Sequence, residues 1–314
     1  MPERFEFLIT EEDAKKRLDE FLFGRFFHLS KMFLRETLKN GKCEVNGTLE
    51  NLGYRLRQND FIELELDFGE RQIIEPEDIP LEIIYEDVEF LVVNKPAGML
   101  VHPTVKVRKG TLLNALTFYL NKENLTQRRE DARAQMANLD QSLSRAGLVH
   151  RLDKQTSGLM VVAKNARSHK ILADHFKRKI VEKKYYALVE GNLEKHEGEI
   201  NAPIGRYEEE RIWNIKADGK SAITKFCVME RYQDSTLLEL EPVTGRTNQL
   251  RIHLAHIGHP ILGDTKYGGR EFSRLCLHAY KINFWHPNGN RRMEFETDLP
   301  EEMKQKISNI LDRL

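Results

Sequence analysis

Between Gly147 and Leu159 the chain reads GLVHRLDKQTSGL, which gathers an imidazole (His150), a guanidinium (Arg151), a carboxylate (Asp153) and two hydroxyls (Thr156, Ser157) beside the apolar run LMVVAKN. A loop this polar entering a sheet is costly to bury without compensating contacts. It is either an ordinary charged turn in which His150 and Asp153 cap one another, or a site where a carboxylate works as acid, base or nucleophile beside a cation. A second cluster, PVTGRTNQLRIHLAHIGHPILGDTKYG, spans Pro242 to Gly268. There Gly245 permits a tight turn, and Arg251 falls on the first turns of the following helix, where its cation can lean on a neighbouring carboxylate.

Other chemistries are weaker. His253, His256 and His259 recur every three residues, but a zincin site needs HExxH, and Leu254 follows His253 with no carboxylate at ligand spacing before Asp264. Core or surface histidines are expected, and no metal. Asp218-Gly219-Lys220-Ser221 ends like a phosphate loop, yet Asn214 stands where the first glycine belongs. Thr156-Ser157-Gly158 is no nucleophile elbow, because Gln155 replaces the leading glycine. Cys43, Cys227 and Cys276 are odd in number and far apart, which argues for buried thiols rather than disulfides or a metal knuckle.

Charge is informative locally. Lys plus Arg (49) balance Asp plus Glu (49) over the whole chain, so total charge points to no partner. Lys31, Arg35 and Lys39, however, form a stripe at i, i+4, i+8, with Lys42 just beyond. Between Lys164 and Lys184 eight basic residues face only Asp174 and Glu182. One such stripe is normally a solvated helix face; two, each beside loops bearing arginine, point to phosphate backbones.

The elements that would carry these residues follow from periodicity. A chain of 314 residues with 40% hydrophobic and 31% charged residues is long enough for two globular domains. Leu18, Phe21 and Leu22 predict one helix, Ser30 caps a second running to about Lys39, and the turn dipeptides Asn40-Gly41 and Asn46-Gly47 bracket a short strand. FIELEL closes this unit at Leu66. Residues 67–80, aperiodic and bearing two prolines, read as a linker, and residues 81–314 as a mixed α+β domain. In that domain strands are expected at EIIY, FLVVN, LMVVAKN, YYALVEG, AITKFCVMERY and TLLELEPV. Helices are expected after Thr111, over 166–179, from near Thr247 to Gly258 and from about Pro300. Residues 121–146 read as a polar surface insertion. No apolar run reaches the roughly 18 residues of a membrane span, and a cytoplasmic protein is expected.

Taken together, HRLDKQTSGL and VTGRTNQLRIHLAHIGHPILGD, with EDIPLEIIYEDVEFLVVNKPAGMLVHP ahead of them, resemble the RluA family of pseudouridine synthases. The likeness is to the RluD type, which acts on large-subunit ribosomal RNA. KRLDEFL, the helix to Lys39 and KCEVNG resemble an S4 RNA-binding domain. The resemblance implies an α+β architecture: a small S4-like domain over residues 1–66, then a catalytic domain over 81–314 built on a mixed, largely antiparallel sheet. It makes Asp153 the catalytic aspartate, Arg151 the residue that helps displace the target base, Tyr185 the ring packed against uracil, and Arg251 the cation paired with the aspartate. Such a cation at contact distance would hold Asp153 ionised and depress its pKa. Lys31, Arg35 and Lys39 become RNA contacts. Isomerising uridine involves no redox change and no net hydrolysis, so the resemblance implies no cofactor and no metal; the partner is RNA, ribosomal above all, and a monomer away from membranes is expected. Asn248 departs from the family, where histidine is usual. The alternatives are an RNA-binding protein without catalysis, an enzyme acting on tRNA, and a metal-dependent hydrolase built on His150, Asp153, His253 and His256.

Overall fold

The computed structural model describes residues 2–26, 31–67, 74–104, 107–127, 142–207, 209, 212–289 and 291–311. The expected Ser30 cap, the middle of the linker (68–73), the centre of the expected insertion (128–141) and the side chain of Lys31 lie outside the described residues. The chain divides into two compact units, Met1–Glu75 with Leu143–Arg145, and Pro76–Ser142 with Ala146–Leu314.

In the first unit, strand β1 (Glu3–Leu8), helices α1 (Leu18–Arg25) and α2 (Lys31–Lys39), and strands β2 (Cys43–Val45) and β3 (Phe61–Leu66) follow in order. The strands form an antiparallel sheet ordered β1-β3-β2, with Phe7 opposite Ile62 and Cys43 opposite Leu64. Leu18 and Leu22 of α1, Leu34 of α2 and Ile62, Leu64 and Leu66 of β3 are fully buried against one another. Each such side chain stabilises the unit by about 1.5–3 kcal/mol relative to exposure. Asn46 (φ 53°) and Gly47 (φ 73°) make the expected left-handed turn. Strand β1 was not expected, although FEFL alternates; Phe5 and Phe7 meet Phe26 and Phe21 edge-on at 4.9 and 5.6 Å.

The second unit is α+β with a mixed, largely antiparallel sheet. Its elements are β4 (Glu82–Glu86), β5 (Phe90–Lys95), α3 (Leu112–Gln127), β6 (Ser142–Leu148), β7 (Ser157–Asn165), α4 (Ala166–Lys177), β8 (Glu182–Glu190), β9 (Glu197–Asn201), β10 (Ile204–Tyr207), β11 (Ile212–Ile215), β12 (Ile223–Arg231), β13 (Ser235–Pro242), α5 (Gln249–His256), β14 (Leu277–Trp285), β15 (Arg292–Glu296) and α6 (Glu301–Leu311). The sheet runs β4-β5-β7-β14-β8-β13-β12-β9, with β6 beside β7 and β15 beside β14, while β10 and β11 form a separate ribbon. Among the described residues, β7 with β14 is the parallel pairing, and it is short: Ser157 opposite His278 and Gly158 opposite Ala279. Phe90 and Val92 of β5, Val161 and Ala163 of β7, Ile282 and Phe284 of β14 and Leu172 of α4 fill the core on one side of this junction. Helix α4 starts where Asn165 accepts a hydrogen bond from the Ser168 N–H (2.8 Å).

Two expectations need correction. The span 121–146 is not wholly an insertion, because α3 runs through it to Gln127 and Ser142–Leu148 is a strand on β7. The helix expected near Thr247 is present and begins at Gln249, just after Asn248 in a left-handed conformation (φ 53°). Strands β9, β10, β11, β14 and β15 were not foreseen. Among the described residues no helix is long and apolar enough to cross a membrane.

Candidate active site

The loop from Val149 to Thr156 hangs between β6 and β7 and is held from three directions. Its first anchor is His150, whose Nε2 accepts the Val161 N–H (2.9 Å) while the ring stacks on Phe176 at 4.4 Å. Burial, aided by the charge of Lys183, pushes this imidazole down to about 3, so it is a neutral strut. It does not cap Asp153. A second anchor is Lys95 on β5, fully buried, whose ammonium donates to Pro96 O (2.7 Å), Met99 O (2.9 Å) and Lys154 O (3.3 Å). Three carbonyls match the three donors of an ammonium, although burial, and next the charge of Arg274, pull its pKa down to about 7.

The third anchor is the parallel junction itself. Gly158 sits at φ 123°, and a Cβ there would lie 2.3 Å from Ala279 O and 2.5 Å from Ala279 N. Only glycine allows β7 to approach β14 this closely. Next to it, Ser157 Oγ meets His278 Nδ1 at 2.7 Å and accepts a short hydrogen bond from Arg274. The loop that enters here is therefore fixed at both ends.

Asp153 is half-buried at the centre of this loop. Among the described residues its carboxylate accepts no hydrogen bond and forms no ion pair within contact distance. Burial raises its pKa above the usual carboxylate value, against the opposing charges of Arg251, Arg151 and Lys266. This reverses the expected direction because desolvation outweighs the largest opposing charge, that of Arg251. That residue projects from α5 and binds both oxygens of Asp264 (Nε to Oδ2 2.7 Å, Nη2 to Oδ1 2.6 Å), with Asp264 1% exposed. The arginine does lean on a neighbouring carboxylate, but Asp264 takes its hydrogen bonds and Asp153 feels it through space. Desolvation of Asp153 thus outweighs the pull of Arg251, and the charge of Asp264 adds a lesser push in the same direction.

Further residues brace Arg251. Tyr267 lies under its guanidinium, 5.0 Å from ring centroid to Cζ. The Tyr267 hydroxyl accepts from Asn248 Nδ2 (2.9 Å) and donates to Trp213 O (3.1 Å). The residue that departs from the family pattern thus supports the platform on which the arginine rests. Gln249 ties the turn before α5 by accepting from Thr244 Oγ1 (2.6 Å) and the Arg246 N–H (3.0 Å) and donating to Ile223 O (2.9 Å).

Tyr185 comes from β8, opposite Leu240 of β13 and Ala279 of β14. Its ring is 8% exposed, and burial, with the charge of Asp153, pushes its hydroxyl far above its ordinary pKa. Arg151, Asp153, Tyr185 and Arg251, distant in sequence, line one cavity of about 180 Å³ together with Lys183 and the Thr244–Leu250 turn. The pocket offers a flat buried ring, an unbonded carboxylate and an exposed arginine at its edge.

The remaining candidates lie elsewhere. Arg35 and Lys39 are exposed on α2 in the first unit, where Arg35 is drawn to Asp19 (3.9 Å) and lies over Phe23 (5.4 Å). His253 is fully buried, with Nδ1 at Thr224 Oγ1 and Nε2 at Ala202 O (3.0 Å each), and His259 meets Glu190 O at 2.8 Å. His253 and His259 are thus put to separate structural uses, and His256 is exposed. Cys43, Cys227 and Cys276 are free thiols; Cys43 and Cys276 are buried and Cys227 is partly exposed.

Residues 89–256 match the family pattern of the RNA pseudouridylate synthases. The chain is 38% identical to an uncharacterized RNA pseudouridine synthase of Bacillus subtilis, over 96% of either protein. It is 34% identical to the ribosomal large subunit pseudouridine synthase D of Vibrio cholerae, over 96% of this chain and 94% of that one. Among solved structures, human RNA Pseudouridylate Synthase Domain Containing 4 shares the fold, with a TM-score of 0.57 at 23% identity over 73% of this chain and 93% of that one.

Proposed function

The chain belongs to the RNA pseudouridylate synthase family and is a pseudouridine synthase, an isomerase; from that premise we propose that it converts uridines of large-subunit ribosomal RNA to pseudouridine, with Asp153 acting on the target nucleotide. The observation that carries this reading is the state of Asp153: a half-buried carboxylate that accepts no hydrogen bond among the described residues and is set in one cavity with Tyr185 and Arg251. A carboxylate with a burial-raised pKa is a stronger base and nucleophile than a solvated one. Its charge is tolerated because Arg251, Arg151 and Lys266 surround it.

The reaction breaks the bond between C1′ and uracil N1, turns the base, forms the C1′–C5 bond, releases the proton from C5 and leaves N1 to take up a proton, so that the product is an isomer of the substrate. Asp153 serves either by attacking the nucleotide or by drawing off a proton. Tyr185 supplies a flat face for uracil, and its suppressed ionisation keeps it neutral beside the aspartate. Arg251 faces the charge that develops, held in place by Asp264 and Tyr267. Because the target base cannot be reached inside a stack, it is turned out into the cavity at a cost of a few kcal/mol. Arg151, exposed at the rim, is placed to fill the gap that it leaves.

In this reading residues 1–66 are an S4-like RNA-binding domain that uses Lys31, Arg35 and Lys39, residues 67–80 are its linker, and residues 81–314 are the catalytic domain. The homologue from Vibrio cholerae is named for large-subunit RNA and matches along nearly the whole chain, which favours that substrate over tRNA. The test is tritium release from unmodified ribosomal RNA labelled at uridine C5. Wild type is expected to release tritium and Asp153→Asn to release none while binding RNA normally. Turnover by Asp153→Asn would sink the assignment, and a wild type active only on tRNA would replace the substrate.

A further inference from the structure

A second cavity, of about 440 Å³, adjoins the first. Arg151, Lys183, Tyr185, Pro242, Thr244 and Gly245 line both, and the far side of the larger one adds Phe176, Lys177 and Lys179. Its cations are uncommitted. Lys177 and Lys179 are exposed and pair with no carboxylate among the described residues, while Arg178 between them is held by Asp174 at 2.7 Å. Of the two carboxylates on its wall, Glu182 accepts from Arg292 and Asn283, while Glu241 acts on Lys184 through space and Lys184 itself donates to Glu239.

Lys183 stands at the seam. It is two residues from Tyr185 on β8 and so projects from the same face of the strand. The nearest aromatic ring, Phe176, lies 5.9 Å from its Nζ, and no carboxylate pairs with it among the described residues. Burial alone pulls its pKa below the usual lysine range. A desolvated ammonium without a counter-ion is unfavourable, and the fold does not need one here. Arrival of an anion would relieve it.

We propose that Lys183 and the second cavity bind the phosphodiester and nucleotide that adjoin the target uridine. Lys183 then takes the phosphate at the seam, and Lys177 and Lys179 take the strand at the rim. The smaller cavity suits a flat base; the adjoining one, more than twice its volume and cationic, suits a nucleotide that carries its phosphate. This inference rests on the reading of the first cavity as the uridine pocket, and it adds which neighbouring group the enzyme grips and with what.

The test uses the full chain and a transcript of large-subunit ribosomal RNA with C5-tritiated uridine, following kcat and KM over a salt series. Lys183→Met is expected to raise KM about tenfold or more, the usual size of a charge-assisted contact, with kcat within a few fold of wild type. The slope of log kcat/KM against log salt should become shallower by about 0.7, the value for one single-strand phosphate contact, and Lys183→Arg should restore both. A loss confined to kcat, an unchanged slope or a failed arginine rescue in a variant that melts like wild type would overturn the proposal. If Lys183→Met melts early, the exposed pair Lys177→Met/Lys179→Met carries the same slope test, and an unchanged slope there overturns the site. Turnover by wild type with unaltered variant slopes removes the phosphate site alone. No turnover by wild type removes the uridine pocket as well, and the phosphate site with it.

Discussion

Asp264→Asn keeps the shape of a side chain that is 1% exposed and removes the charge that Arg251 grips with two hydrogen bonds. One carboxylate oxygen becomes an amide NH2 that faces a guanidinium N–H, so a buried donor meets a donor. Breaking one side of a buried pair costs roughly 3–5 kcal/mol, and the surviving acceptor places this case at about 3. For a unit of this size that lowers the melting temperature by about 6–12 °C. A chemical effect accompanies the structural one. Asp264 raises the pKa of Asp153 by its charge and Arg251 lowers it, so neutralising Asp264 leaves the whole cationic field on Asp153. Asp153 then ionises at lower pH. The acid limb of kcat/KM for tritium release moves down in pH and the plateau falls, because a weaker base is a poorer catalyst. An acid limb that stays in place or moves up would refute the shared-cation account. A melting temperature within about 2 °C of wild type would refute the strength assigned to the pair.

Three further outcomes are expected. Gly158→Ala should destabilise the catalytic unit by about 3 kcal/mol, since the new methyl meets Ala279 backbone at a left-handed φ; an unchanged denaturation midpoint would contradict the close approach described for β7 and β14. Deleting residues 1–66 should weaken RNA binding and flatten its salt dependence, and equal affinity in the shortened protein would count against an RNA-binding role for α2. His150 and His278, pushed by burial to about 3 and about 4, hold folded pKa values below the ordinary 6.5, so the stability they contribute is complete above pH 6.5 and is lost as pH falls through their folded values. At pH 5 each should cost about 2 kcal/mol, and His150→Gln, which can still accept the Val161 N–H, should melt with a visibly shallower acid dependence than wild type; parallel melting curves would show that His150 is not held neutral.

Much of the site was legible because reactive residue types crowd into two short stretches. Arg151 and Asp153 share one loop and Arg251 heads a helix marked by Gly245 before it and Gly258 after it. Strands β3, β5 and β7 announced themselves by alternation or by unbroken apolar runs, and α1 and α4 by helical spacing. What stayed hidden has physical causes. Strand β14, LHAYKINFW, is almost wholly buried, yet its His278, Lys281 and Asn283 break both periodicities because each has a specific partner. Asp264 is one of 49 acids, and nothing local distinguishes the one that folds back on Arg251 across a turn. Lys95 gives no sign of burial, because lysine is normally found outside and its three carbonyl acceptors are backbone atoms. The direction of the Asp153 shift depended on knowing how far the fold buries that loop, with Arg251 bonded to Asp264 instead.

The short parallel step between β7 and β14 also sets an order of events during synthesis. Ser157 and His278, which meet there, are separated by 121 residues of chain. Contacts of such long separation form late, because the intervening chain must first be closed into a loop. A nascent polypeptide that has emerged only as far as α5 carries Arg151, Asp153, Tyr185 and Arg251 in full, yet lacks the strand against which the Asp153 loop is braced. Bracing of the Asp153 loop therefore waits until β14 has been made, and a chain stopped at α5 holds the site residues without the strand that fixes the loop between them.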